Sequence, residues 1–280
     1  MNTQVTPGKI NKLRIINIES HGAYLDGGLN DTILLPTKWI PDKSKEGDEI
    51  EVFIYFDSDD RIIATTMKPF AQINEIAFLR VADVNNTGAF LDWGLEKDLL
   101  VPYREQKARM VTGRYYLIYI YLDEQTGRIA ASAKIEHFID VLPTAYVEDQ
   151  EVEIIIWEKT ELGYKAIIEN QHQGLIYANE VFQPLEKGMK LKAFVSSLRE
   201  DGKIDLRLLK AGYEKIDGLA GQILEKLQQK NGFLHLTDHS NANDIYTSLK
   251  MSKKNFKKAL GMLFKKQLIN IEKEGIRLIK

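Results

Sequence analysis

The sequence predicts a mainly β chain with an α+β tail: three small five-stranded barrels in tandem, then a separate helical module. Residues 22–36 read GAYLDGGLNDTILLP and residues 88–102 read GAFLDWGLEKDLLVP, so Gly22, Leu25, Asp26, Gly28, Leu29, Leu34 and Pro36 recur as Gly88, Leu91, Asp92, Gly94, Leu95, Leu100 and Pro102. A fainter copy follows, in which Gly163 precedes Leu175 by the 12 residues that also separate Gly22 from Leu34 and Gly88 from Leu100. Charge is divided too: residues 210–280 carry 14 Lys and Arg against 7 Asp and Glu, and residues 1–209 carry 24 against 33. A long internal repeat implies an array of like units, and the charge break marks a distinct basic module at the C-terminal end.

The first copy supplies LRIINI, GAYLDG, TILLP, EIEVFIYF and RIIATTM, apolar or alternating runs separated by Gly, Asp, Asn and Lys. That is the rhythm of short strands and turns. The second supplies AFLRVADV, GAFLDW, DLLVP, YYLIYIYL and RIAASAK, and the third EVEIIIWEK, GYKAIIEN, GLIYANE, KLKAFVSSL and KIDLRLL. Closing five such strands on themselves removes the unpaired edges a small flat sheet would expose. The expected units are residues 1–68, 69–141, 145–212 and 213–280. Short connectors, Lys68, Pro69 and Phe70, then Leu142, Pro143 and Thr144, predict a semi-rigid rod.

In the tail, IDGLAGQILEKLQQ has helical apolar spacing, GFLHLT is extended, Ser240 is placed to cap NANDIYTSL, and Ser252 to cap KKNFKKALGMLFKK. LINIE and IRLI then flank Lys273, Glu274 and Gly275 as a hairpin. Three helices and a hairpin make a winged helix-turn-helix. At 100° per residue the third helix puts Phe256, Ala259, Leu260 and Leu263 on one arc and Lys254, Lys258, Gly261 and Lys265 opposite. A cationic helix after a turn can lie along nucleic-acid phosphates. It offers no Arg and only Asn255 as a carboxamide, which favours phosphate and shape over base reading.

The chain has 44% hydrophobic and 28% charged residues and no cysteine, which excludes disulfides and thiolate metal sites. No apolar run approaches the roughly 20 residues that cross a bilayer, and MNTQVTPGKINK lacks a signal-peptide core. The cytoplasm is the expected location. Enzyme signatures are absent: no Walker-type phosphate loop, HExxH or GxSxG. His235, Asp238 and His239 read as a surface turn rather than a metal site. Asp57, Asp59 and Asp60 begin like a calcium loop but continue with Ile62 and Lys68 where Gly and Glu are required, so they read as a hairpin turn. Neither a cofactor nor a catalytic residue is expected.

GAYLD and GAFLD, the following LLP or LVP strand, the glycine before a long strand and the Asp-to-Arg hairpin resemble the RNA-binding domain first known from ribosomal protein S-one, a five-stranded OB-fold barrel. Three such barrels followed by MSKKNFKKALGMLFKKQLINIEKEGIRLI resemble the conserved virulence factor B family of bacterial RNA-binding proteins. The resemblance implies three tandem OB-folds and a winged helix in a non-enzymatic, single-stranded-RNA-binding regulator. It places the stacking aromatic at Tyr24 and Phe90 and the basic loop residue at Arg61 and Arg128. Tyr164, Lys165, Tyr177 and Lys203 are their counterparts in the third barrel. The sequence departs from the pattern at His21 and Thr87, before the GA pair, and at Pro36 and Pro102, where the motif often has His. These departures weaken the binding face, most clearly in the second barrel. Trp93, in place of Gly27, is either an exposed stacking or interface group or a packed turn. Duplex DNA read by the winged helix, with the barrels as sensor or dimerisation body, and a ribosome or protein-interaction scaffold are the alternative partners.

Overall fold

The computed structural model describes residues 5–28, 31–142, 145–178, 181, 184–199, 201–208 and 213–279, without the side chains of residues 213–217. Leu29, Pro143, Thr144, Asn179, Glu180 and Leu209, which the sequence assigns to the repeat, a connector or strands, lie outside the described residues. Barrel one comprises β1 (Ile10–Glu19), β2 (Gly22–Asp26), β3 (Thr32–Pro36), β4 (Glu49–Phe56) and β5 (Ile62–Thr65), closed in the order β1-β2-β3-β5-β4. Barrel two comprises β6 (Ile76–Val84), β7 (Gly88–Asp92), β8 (Leu99–Pro102), β9 (Tyr115–Leu122) and β10 (Ile129–Ser132). Its sheet runs β10-β9-β6-β7-β8, with β8 beside β10 so that it nearly closes. Barrel three comprises β11 (Glu151–Lys159), β12 (Gly163–Ile168), β13 (His172–Tyr177), β14 (Lys190–Leu198) and β15 (Ile204–Arg207), closed like the first.

The copied glycines fix one register in all three. Gly22 pairs with Pro36, Gly88 with Pro102 and Gly163 with Tyr177. A methyl group on any of them would overlap the backbone carbonyl of Leu35, Val101 or Ile176. Only glycine allows that approach. The first strand of each barrel also carries one extra residue, Ile16, Ala82 or Trp157, where the pairing to the second strand slips. Such a bulge bends and twists the strand, which helps five short strands curve into a barrel.

Apolar runs too long for simple alternation are explained by burial on both sides. On β4, Val52 and Ile54 enter the core of barrel one with Leu25 and Leu35, while Phe53 and Tyr55 join Trp93, Leu91 and Leu99 of barrel two. Trp93 is 3% exposed, meets Phe53 edge-on at 5.5 Å and donates Nε1–H to the Lys97 carbonyl at 2.6 Å. It therefore serves as a buried barrel-barrel contact and not as a free stacking surface. On β11, Ile154 and Ile156 fill barrel three, whereas Ile155 and Trp157 pack with Ile76, Leu117 and Ile139 of barrel two. Full burial of such a side chain contributes about 1.5–3 kcal/mol, so the barrels are joined by more than their connectors. Polar bonds add to the joints: Gln72 accepts from the Ile10 amide at 2.8 Å and Asn170 from the Ile76 amide at 2.9 Å.

The tail is α1 (Tyr213–Gln229), β16 (Phe233–Leu234), α2 (Ala242–Leu249), α3 (Lys253–Lys265), β17 (Ile269–Glu272) and β18 (Gly275–Leu278), with a sheet ordered β16-β18-β17. Ser252 caps α3 by accepting from the Asn255 amide. The cap of α2 is Asn241 and not Ser240: Asn241 accepts from the Asn243 amide, while the Ser240 hydroxyl accepts from the Thr237 amide one turn earlier. Phe256, Ala259, Leu260 and Leu263 are buried against α1 and the sheet, as the helical spacing predicts. Among the described residues no helix is long and apolar enough to cross a membrane.

Candidate nucleic-acid interface

The shared register makes the three barrel faces directly comparable. Two residues after the first glycine stands Tyr24 in barrel one and Phe90 in barrel two, each half-buried between inward-facing neighbours. Their cross-strand partners are Leu34 and Leu100. The same place in barrel three is Lys165, opposite Leu175. Tyr164 is on the other side of β12 and packs against the core of barrel three. Tyr177 falls in register with Pro36 and Pro102.

In barrel one, Tyr24 has its hydroxyl 2.6 Å from Nε2 of His21, with the rings edge-on at 5.6 Å. Arg61 turns back onto its own hairpin, pairing with Asp57 at 2.8 Å and Asp59 at 3.0 Å. The Asp57 hydrogen bond holds the Arg61 guanidinium above its ordinary pKa. In barrel two, Arg128 reaches across to Asp60 of barrel one. Lys97 donates to the Asp57 carbonyl at 2.6 Å, so the hairpin of the first barrel covers one side of the second barrel's face. A cleft of about 380 Å³ remains there, with Phe90 on its wall.

Barrel three places Lys165, Lys203 and Arg199 around a cleft of about 440 Å³. Lys165 pairs with Glu158 and Lys203 with Asp201, both at 2.7 Å. Arg199 donates to Asp205 at 2.8 Å and to the Tyr177 hydroxyl, and the Asp205 bond raises its pKa. Sequence reasoning missed Arg199. The signal was present: the amide of Asp57, Asp123 or Arg199 closes each hairpin on the carbonyl of Arg61, Arg128 or Lys203, so Arg replaces Asp at one recurring position.

The winged helix differs in kind. Lys254, Lys258 and Lys265 are exposed along α3, spanning about 16 Å at 1.5 Å per residue. Lys257 stands beside them, also exposed. Helix α3 contains no acidic residue, and among the described residues no carboxylate pairs with these four lysines. His239 pairs with its neighbour Asp238 and His235 meets Phe233 edge-on; among the described residues no group of three or more His, Asp or Glu is arranged to hold a metal.

Tandem OB-type barrels with a basic winged helix define a class of nucleic-acid-binding proteins, and the matching family models agree. The S1 domain matches residues 7–67 and the CvfB-like winged helix domain matches residues 221–278. The "uncharacterized protein YitL" of Bacillus subtilis is 30% identical over 269 residues, covering 92% of this chain and 89% of the relative. Conserved virulence factor B of Staphylococcus aureus is 23% identical over 282 residues, covering 98% and 94%. A Streptococcus pneumoniae multidomain protein with nucleic acid binding domains aligns at 25% identity over 98% of both chains, with a TM-score of 0.41. The chain belongs to the conserved virulence factor B family. Its S1 and winged helix domains support a nucleic-acid-binding role.

Proposed function

We propose that this chain is a non-enzymatic RNA-binding protein of the bacterial cytoplasm, a post-transcriptional or expression regulator that takes single-stranded RNA weakly at several linked sites. The observation that carries the reading is a contrast in pairing. Arg61, Arg128, Lys165 and Lys203 each face a carboxylate, whereas Lys254, Lys257, Lys258 and Lys265 form a cationic row that no carboxylate among the described residues opposes. Attraction to phosphate comes from the winged helix, and preference for unpaired strands comes from Tyr24 and Phe90. Stacking on an aromatic suits any exposed base and contributes about 1–3 kcal/mol per base. Linking weak sites on one chain raises the overall affinity through effective concentration. The proposed units are residues 1–68, 69–141, 145–212 and 213–280.

The third barrel contributes Lys165 and Lys203, whose solvent-accessible ion pairs with Glu158 and Asp201 are weak enough for a phosphate to displace, beside Tyr177 and Arg199, which Asp205 holds in place by two hydrogen bonds. Fluorescence anisotropy with labelled single-stranded RNA tests the proposal. Binding that weakens as salt rises is expected, and no binding at low salt overturns it. A second reading, duplex DNA bound by α3, is favoured by the position of that helix after a helix and turn. Equal affinity for duplex DNA and single-stranded RNA, unaffected by Tyr24→Ala, would select it.

A further inference from the structure

The cleft between the first two barrels has a composition that phosphate binding does not explain. Barrel one contributes Tyr55, Phe56 and Asp60, and barrel two contributes Phe90, Trp93 and Asp98 among others. Its charges are matched, with one exception. Asp60 holds Arg128 and lies 3.9 Å from the Lys97 ammonium, which also donates to the Asp57 carbonyl, and Asp123 holds Arg104 at 3.1 Å. Asp98 lines the same cleft, and no hydrogen bond or ion pair from the described residues reaches it.

Its position relative to Phe90 follows from the register. Phe90 pairs with Leu100, and Leu99 between Leu100 and Asp98 points into the core. Asp98 therefore shares the outward side of the sheet with Phe90, as its diagonal neighbour at about 7–8 Å. That matches the reach of a base lying on the Phe90 ring. The equivalent positions, ten residues after the first glycine, are Thr32 in barrel one and Gln173 in barrel three. Of these three positions, the second barrel's is the one that carries a carboxylate. Burial, then the carboxylates of Asp92 and Asp83, raise the Asp98 pKa above its ordinary value against a smaller opposing pull from Arg80, so a ligand presenting hydrogen-bond donors would relieve an unfavourable arrangement.

We propose that this cleft is a base-selecting subsite, in which Phe90 stacks one unpaired base and Asp98 selects guanine by accepting from its N1–H and N2 amino group. The inference rests on the RNA-binding reading above. Guanine is the RNA base whose Watson–Crick edge offers two adjacent donors to the two carboxylate oxygens. Adenine and cytosine put a ring-nitrogen acceptor beside their one amino group, and uracil flanks its single N–H with carbonyls. Both arrangements repel a carboxylate. Reading the Watson–Crick edge of a splayed, stacked base is a general mode of single-stranded RNA recognition.

The test uses the full chain and labelled 12-nucleotide oligouridines that carry guanosine, inosine, adenosine or uridine at one central position, followed by anisotropy at low salt. The guanosine oligonucleotide should bind about tenfold tighter than the uridine one, the scale of a bidentate base contact. Inosine, which lacks the N2 amino group, should fall between them. Asp98→Ala should abolish the ranking, and Asp98→Asn should move it toward adenosine, which a carboxamide pairs bidentately. Equal affinity for all four would overturn the subsite while leaving the RNA-binding reading intact. Absence of binding to any of them would overturn both. A guanosine preference that survives Asp98→Ala also overturns the proposal. So does Asp98-dependent binding of a tetra-arginine peptide without guanosine preference, which would assign the cleft to a protein guanidinium.

Discussion

Replacing Lys254, Lys258 and Lys265 together with Gln separates the electrostatic contribution of α3 from everything else. The three side chains are exposed and meet no carboxylate among the described residues, and the apolar arc of Phe256, Ala259, Leu260 and Leu263 is untouched. Glutamine matches lysine closely in helix propensity, so the helix is preserved. Each single-strand phosphate contact contributes about 0.7 to the slope of log K against log salt, and three lost contacts should flatten that slope by about 2. Between 50 and 200 mM salt, a slope change of that size makes the parent protein lose roughly 20-fold more affinity than the variant. The assay is an anisotropy titration repeated at four or more salt concentrations, with circular dichroism to establish that the variant folds. An unchanged slope would refute the reasoning and return these lysines to a solvated helix surface.

Tyr24→Ala and Phe90→Ala should each weaken single-stranded RNA binding about tenfold by removing a stacking surface, with little effect on duplex DNA; a uniform effect on both ligands would contradict this. Trp93→Ala should cost about 3–5 kcal/mol by opening a cavity beside Phe53, and calorimetry should show the first two barrels melting at a lower temperature. An unchanged melting profile would mean that the joint is held elsewhere. Gly88→Ala forces a methyl against the Val101 carbonyl and should destabilise barrel two by at least about 2 kcal/mol, measured by urea denaturation. Preserved stability there would disprove the close approach of β7 and β8.

Much of the fold was legible because the repeat is built from residues with backbone and core duties. Gly22 and Gly88 seat the second strand against the third, and Leu25 and Leu91 fill the barrels. The run VFIYF signalled a strand, but its pattern could not say that Phe53 and Tyr55 face a neighbouring barrel. Likewise, the Arg128–Asp60 contact joins residues 68 apart, and no local pattern encodes it. Ser240 and Asn241 are both good capping types in adjacent positions, and the hydroxyl was already engaged by the turn at Thr237. The third barrel shows the limit most clearly: Tyr164 and Lys165 both look like binding groups in sequence, and the parity of β12 sends the first to the core and leaves the second on the face.

The common register also makes the protein a set of interchangeable parts. Position two after the first glycine is Tyr, Phe or Lys; position ten is Thr, Asp or Gln; position fourteen is Pro, Pro or Tyr. Each trio projects from a corresponding backbone site, with proline at position fourteen also constraining the strand beneath it. Comparing the barrels at these positions compares side chains on one scaffold, except where the first barrel's hairpin covers the second barrel's face.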